Sequence, residues 1–326
     1  MTIGDSVKIE AEKATGAYWG VISALQILKQ NKTTIPKGIT RDYPKYEVRG
    51  FMLDVGRKSF DFNTVKEFAK NMAWYKMNNF HLHLSDNLIF LEDYPTMQDA
   101  IDNAYAGFRL ESEIPNLTSE DTYYTKEEFR SFIKDSRNMG VNIIPEFDMP
   151  AHALAITRAF PNLMTKEAGG NHRYLIEELD IRKDGALDAA KSVWAQYFQG
   201  DDPVFDKDTT VHIGTDEFHG NGGNEYFRSF SDSMIQYIQG TGRDVRMWGS
   251  LSNKNGKTPV ASKDVQLNIW NTGYANPKNM YDLGYDLINT LEGSLYIVPS
   301  AGYYSDYLIP RTFTTTGYRI TSAVLF

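Results

Sequence analysis

Cysteine is absent from all 326 residues, which excludes disulfides, thiol nucleophiles and zinc–thiolate centres. That absence suits the cytoplasm, and suits equally a bacterial protein exported to the cell surface or beyond without relying on disulfides. Long apolar runs are missing too, and none approaches the roughly 20 residues that a membrane span needs. The opening MTIGDSVKIE lacks the basic start and apolar middle of a signal peptide. Positive charge is in deficit, with 34 Lys and Arg against 42 Asp and Glu and a formal charge of −8. Neither nucleic acid nor an anionic membrane is therefore expected as a partner. Aromatic residues, by contrast, are plentiful, with 20 Tyr and 5 Trp, several of them where strands should end.

Helical spacing of Tyr18, Val21, Ile22, Leu25 and Leu28 predicts a helix over 14–30. The polar, proline-bearing stretch 31–46 reads as a connector. From Arg49 onward, strand and helix patterns alternate. RGFMLDV, NNFHLHLSD, VNIIPEFD, TVHIG, DVRMW, VQLNIW and DLINTLEGSLYIVP read as strands. The intervening NTVKEFAKNMAWYKM, with Asn63 or Thr64 as its cap, TKEEFRSFIKDSRNMG, DAAKSVWAQYF and NEYFRSFSDSMIQYIQGTG read as helices. A turn-rich excursion is expected from Asn87 to about Tyr124.

Alternation repeated this often implies a parallel sheet, closed or open. No glycine-rich phosphate loop follows the first strand, which counts against an open nucleotide-binding sheet. Arg57, Asp86, Asp148, Asp216, Trp248, Trp270 and Tyr296 each fall at or just past a predicted strand's C-terminal end. In a (β/α)8 barrel all such ends meet on one face, where barrel enzymes carry their chemistry. The expected fold is thus α/β, a (β/α)8 TIM barrel. Only seven strands can be counted before the closing GYRITSAVLF, so the barrel is expected to be incomplete at its C-terminal strand, with an open edge.

Within VHIGTDEFHG, Asp216 and Glu217 are neighbours. Strand alternation would send them to opposite faces, but a turn after Gly214 can bring both into one pocket. Two adjacent carboxyls do not suit a mechanism that needs one on each side of a glycosidic bond. They suit a division of labour in which one protonates a leaving oxygen and the other holds a substrate group that itself attacks. The plainer alternative is a solvated loop pair capping the helix at Asn224. His81 and His83 have the H-x-H spacing of a metal pair, but no third ligand at a typical spacing is evident, and no metal is expected.

Taken in order, RGFMLDVGRKSF, NNFHLHLSDN, NIIPEFDMPAH, HIGTDEF, RMWGS, NIW and LYIVP resemble glycoside hydrolase family 20. That family contains β-N-acetylhexosaminidases, lacto-N-biosidases and dispersin-like enzymes. The resemblance runs from about Tyr46 to Asp306 and implies a catalytic barrel over 45–326. Residues 1–44 resemble the end of the family's small α/β accessory domain. The implied activity is exo-acting, retaining removal of terminal β-linked GlcNAc or GalNAc, without a cofactor, through an oxazolinium formed by the substrate's own acetamide. Glu217 matches the acid/base, Asp216 the group that holds the acetamido N–H, and Tyr296 the tyrosine that orients its carbonyl. Arg57 matches a ligand of the terminal sugar's hydroxyls, with ion pairing to Asp54 or Asp86 as the plainer alternative. Trp248 and Trp270 match pocket walls, Asp148 and His152 a supporting shell, and Asp86 and Asp306 groups near the sugar.

Two departures stand out. Ala151 replaces the family's usual glycine, and the Trp-x-Glu of the family's last strand has no counterpart. The implied partner is a glycan or glycoconjugate ending in N-acetylhexosamine. A lacto-N-biosidase releasing a disaccharide and a non-catalytic glycan-binding barrel are the alternatives. The expected location is outside the cell or on a bacterial surface, the cytoplasm being also compatible.

Overall fold

The computed structural model describes residues 1–31, 34–89, 93–167, 175–220, 223–299, 302 and 304–307, and the backbone of 322–325. Eight parallel strands close into a barrel. In chain order these are β1 Val48–Asp54, β2 Asn79–His83, β3 Asn142–Met149 and β4 Val211–Gly214. They are followed by β5 Val245–Trp248, β6 Val265–Ile269, β7 Asp286–Asn289 and β8 Ser322–Leu325. Six of the strands expected from the sequence fall where their patterns placed them, and the seventh, DLINTLEGSLYIVP, is a strand only over Asp286–Asn289. The eighth place, expected to be an open edge, is taken by Ser322–Leu325. It pairs through four residues with Val48–Phe51, but touches β7 only through Asn289 and Ala323. Closure is therefore continuous on one side and thin on the other.

Strand alternation divides each barrel strand between two environments. Phe80, Leu82, Phe147, Val211, Ile213, Val245, Met247, Val265 and Leu267 face outward into one core, where the surrounding helices cover them. Helix Phe62–Trp74 contributes Val65, Ala69, Met72 and Ala73, and helix Lys126–Asn138 contributes Phe129, Phe132 and Ile133. The inward residues are of another kind. Asn79, His81, His83, Glu146, Asp148, His212, Arg246 and Asn268 are all buried. Val48, Met52, Trp248, Trp270 and Ile288 form a separate apolar cluster with Tyr274 and Tyr296 packed against it.

Helix ends follow local chemistry. Asp61, two or three residues before the expected cap, accepts the Thr64 N–H at 3.0 Å. Helix Lys126–Asn138 opens with a full capping box between Thr125 and Glu128 and stops before Gly140, whose φ is +79°. The excursion after β2 is more ordered than its turn-rich sequence suggests. Ser85–Leu88 and Tyr105–Phe108 pair as an antiparallel hairpin, with helix Met97–Asn103 between them. Arg109, fully buried, ties this hairpin to the loop after β1 through the carbonyls of Val55 (2.8 Å) and Gly56 (3.1 Å).

Ahead of the barrel, strands Thr2–Ile3, Val7–Lys8 and Gly38–Ile39 form a three-stranded antiparallel sheet beside helix Ala14–Asn31. The helix docks on the barrel through Gln26 to the Trp74 carbonyl (2.7 Å) and Lys76 to Ser23 Oγ (2.6 Å). The Arg49 guanidinium also lies over the Trp19 ring at 4.9 Å. No helix of the described residues is long and apolar enough to cross a membrane.

Candidate active site

The C-terminal end of β4 sets the geometry. Gly214, Thr215 and Glu217 all have left-handed backbone, with φ of +77°, +79° and +36°. Thr215 is β-branched, and such a residue sits at positive φ only when its surroundings hold it there. Here its N–H donates to the Met149 carbonyl at 3.1 Å and its hydroxyl to the Trp248 carbonyl at 3.1 Å, while Ser250 Oγ donates to its carbonyl at 2.8 Å. A Cβ on Gly214 would be driven into the Asp148 carboxylate, so only glycine fits. This tight turn replaces strand alternation and brings both carboxyls to one place. Atoms of His152, Asp216 and Glu217 lie within 4.8 Å of one another.

Glu217 is one-third exposed, its Oε2 3.5 Å from His152 Nε2, and the Tyr274 hydroxyl donates to its Oε1 at 3.4 Å. Asp216 lies deeper. Its N–H donates to Asp148 Oδ1 at 3.3 Å. Its own Oδ1 is buried and has no hydrogen-bond partner among the described residues. Burial pushes the Asp216 carboxyl up to about 7 against His152's pull downward, with Glu217 adding to the rise. Asp148, behind it, is raised well above the usual carboxylate range by burial and by Glu146.

His152, itself at φ +55°, stands between acids. Its Nδ1 is 3.1 Å from Asp86 Oδ1. Burial would lower its pKa, but Asp86, Glu217 and Asp148 carry it well above the ordinary histidine value. Asp86 is held the other way: burial opposes its charge, yet Arg57, His152 and His83 keep it far below the usual range. Arg57 forms ion pairs with both Asp54 (2.8 Å) and Asp86 (2.7 Å), the plainer arrangement anticipated for it, while 38% of its side chain remains accessible.

Trp248 and Trp270 share the apolar floor with Met52 and Ile288. Trp248 Nε1 donates to Glu146 Oε1 at 2.6 Å, and the Trp270 ring lies 4.6 Å from that of Tyr274. Tyr296 packs on the same floor. Burial, and after it the charge of Asp216, raises its hydroxyl well above the ordinary tyrosine value. One expectation about it needs correction. Tyr296 does not end a strand: β7 stops at Asn289, and Tyr296 follows the short helix Glu292–Leu295. Asp306 is exposed, one residue beyond the Ile297–Ser305 bridge.

Two aromatic residues escaped the sequence reading. Tyr274 reaches Glu217 from the loop after β6. Tyr304 lies with its ring 5.3 Å from that of Tyr296 and its hydroxyl donating to Glu292 at 3.0 Å. The tyrosine pair in YYSDYL was a signal for the second; nothing in NTGYAN marks the first.

Several acidic and histidine groups are spaced closely enough to hold a metal ion. The most deeply buried is His81, Glu146 and His212. Glu146 is already engaged there: its Oε2 is hydrogen-bonded to His83 Nδ1 at 2.7 Å, its Oε1 takes the indole of Trp248, and His81 Nε2 lies 2.8 Å from Oε2 as an ion-pair contact. His212 Nδ1 accepts the Gly214 N–H at 3.1 Å and so carries no proton to share with Glu146.

A parallel barrel with acids and aromatic side chains gathered at its C-terminal strand ends has the build of a barrel enzyme. The chain belongs to glycosyl hydrolase family 20: that family's catalytic-domain model matches residues 46–302. A lacto-N-biosidase of Bifidobacterium bifidum is 25% identical over 316 residues, covering 89% of this chain and 25% of its own length. An N,N'-diacetylchitobiase of Vibrio harveyi is 26% identical over 281 residues, covering 80% and 30%. The chain thus spans between a quarter and a third of these relatives. Among solved structures, an exo-β-N-acetylglucosaminidase of Vibrio harveyi superposes with a TM-score of 0.72 at 20% identity, covering 99% of this chain and 57% of that one. A β-N-acetylhexosaminidase of Bacteroides fragilis gives 0.69 at 22%, covering 96% and 68%. These likenesses confirm the barrel.

Proposed function

We propose that this barrel removes terminal β-linked N-acetylhexosamine, GlcNAc or GalNAc, from glycans with retention, the substrate's acetamide acting as nucleophile. The observation that carries the reading is the buried, unpartnered Oδ1 of Asp216 beside the half-open carboxyl of Glu217. A buried acceptor without a donor is costly. An acetamido N–H would satisfy it and aim the amide oxygen at the anomeric carbon. Glu217 then donates its proton to the glycosidic oxygen and later takes one from water. As the internal nucleophile is already in place, no enzymic carboxylate is needed on the far face.

Trp248 and Trp270 offer flat apolar faces for the pyranose ring, and Arg57 a guanidinium edge for its hydroxyls. Tyr296, or Tyr304 beside it, would hold the acetamide carbonyl. Residues 1–44 would belong to an accessory domain, and the substrate would be met outside the cell or at a bacterial surface. Release of nitrophenol from aryl glycosides of GlcNAc, GalNAc and lacto-N-biose tests the proposal. E217Q should lower kcat by about 10²–10⁴-fold, the range for a lost general acid. Y296F and Y304F measured side by side should show which tyrosine holds the carbonyl. A thiazoline mimic of the cyclised intermediate should inhibit strongly. Turnover by E217Q equal to the parent would remove Glu217 from the chemistry, and binding of the sugars without turnover would favour a glycan-binding barrel.

A further inference from the structure

His83 is 4% exposed and lies between two carboxylates. Its Nδ1 is 2.7 Å from Glu146 Oε2 and its Nε2 2.6 Å from Asp86 Oδ2. An ionised carboxylate only accepts, so both ring nitrogens must carry protons for both contacts to be hydrogen bonds. A neutral imidazole would set a lone pair against an anionic oxygen on one side. The two lengths are those of charge-assisted bonds.

Each carboxylate has further partners. Glu146 Oε1 accepts the Trp248 indole at 2.6 Å. Asp86 accepts the Asn87 N–H at 2.7 Å, is ion-paired with Arg57 Nη2 at 2.7 Å and lies 3.1 Å from His152 Nδ1, which Arg57 Nη2 also approaches at 3.3 Å. His152 leads on to Glu217 at 3.5 Å. One chain of contacts thus runs Trp248–Glu146–His83–Asp86–His152–Glu217, from the pocket floor to the proposed acid, with His83 at its middle.

We propose that His83 is a positioning residue, a fixed imidazolium clamp that holds Glu146 and Asp86 at a set separation and so orients the Trp248 indole and the His152 ring together. The role rests on the function proposed above, but the clamp itself does not. The charges around it favour the cation. Asp54 and Asp86 lie on one side, and Glu146 and Asp148 face it from β3. Arg57 is already paired with Asp54 and Asp86, and Arg246 lies deeper, bonded to Asn79 and Gln266. His81 and His212, its imidazole neighbours, are held toward the neutral form by burial. Asp54, Asp86 and Glu146 therefore favour the cation, Asp148 being held toward its neutral form, against the paired Arg57 guanidinium and the raised His152 imidazole, and removing the charge of His83 would leave Glu146 and Asp86 without their shared partner.

The chain holds six histidines, few enough to follow one by one by nitrogen NMR after histidine labelling. In the parent, the imidazole whose signal vanishes in H83Q should keep both ring nitrogens protonated from pH 5 to 8. Because His83 lies between them, H83Q should shift the ring signals of His152 and the indole N–H of Trp248 together; a local packing defect would move only one. On the aryl glycoside, H83Q should lower kcat by about 10²-fold, as for a reacting group displaced by about 1 Å, and should also move the pH limbs of kcat. E146Q, the second variant should H83Q fail to fold, should displace His152 through His83. A bare nitrogen on His83 anywhere in that range, or His152 and Trp248 signals unmoved by both variants, would overturn the clamp. A clamp present in a parent that turns over none of the glycosides would overturn the proposed function alone.

Discussion

At the scale of single residues, the pocket depends on which carboxyls are charged. The folded state holds the Asp216 proton more tightly than the unfolded chain, with a pKa of about 7 against an ordinary 3.8, chiefly because of burial. The contribution of Asp216 to stability is therefore greatest below 3.8, declines as pH rises toward about 7, and is level above it. Asn at this position cannot ionise, so the melting temperature of D216N relative to the parent should climb across that window and be higher at pH 8 than at pH 5. A difference that stays flat with pH would mean that the carboxyl ionises as it does in water. Most of the site could be named from the sequence because Arg57, Asp86, Asp148, Asp216, Trp248 and Trp270 sit in patterned strand ends, which local periodicity reveals. Tyr274 could not, because it arrives on a loop whose path is set by the barrel rather than by any local repeat, and Tyr304 was marked only by the tyrosine pair in YYSDYL.

At the scale of elements, caps and turns carry the local specification. Thr125 and Glu128 bond reciprocally at the start of helix Lys126–Asn138. Replacing Thr125 by Ala should cost about 1 kcal/mol, read as a lower urea midpoint with unchanged activity. Gly214 is a different case, since it has positive φ and also abuts Asp148. G214A should cost about 1–3 kcal/mol in backbone strain alone. It should also lower turnover, since Asp148 receives the Asp216 N–H and has to move. Full activity in G214A would show that the turn does not aim the carboxyls. Element identities were mostly legible, whereas the ordered hairpin within the excursion was not. Its strands are four residues long and are held by Arg109, a contact made with carbonyls over 50 positions away in the chain.

For the whole molecule, closure is the question. β8 is held by four residue pairs on one side and one on the other. Removing residues 321–326 should expose the edges of β1 and β7, lower the unfolding midpoint and promote association, visible by light scattering. An unchanged midpoint together with monomeric scattering would show that this strand adds nothing to the barrel. The sequence did not announce it, because its place depends on β1, more than 270 positions earlier in the chain.

By itself the sequence determined the order of strands and helices, the outward apolar faces, the family, and the vicinal carboxyls that open the chemical argument. Each of these is written in residues near one another, where side-chain periodicity and turn chemistry act directly. Tertiary structure alone decided that His81, His83, Glu146 and His212 meet inside the barrel, that Trp248 is tied to Glu146, and that Tyr296 reaches the pocket from a short helix rather than a strand tip. Those groups come from different strands, and parallel strands meet only when the register between them is set by closing the sheet.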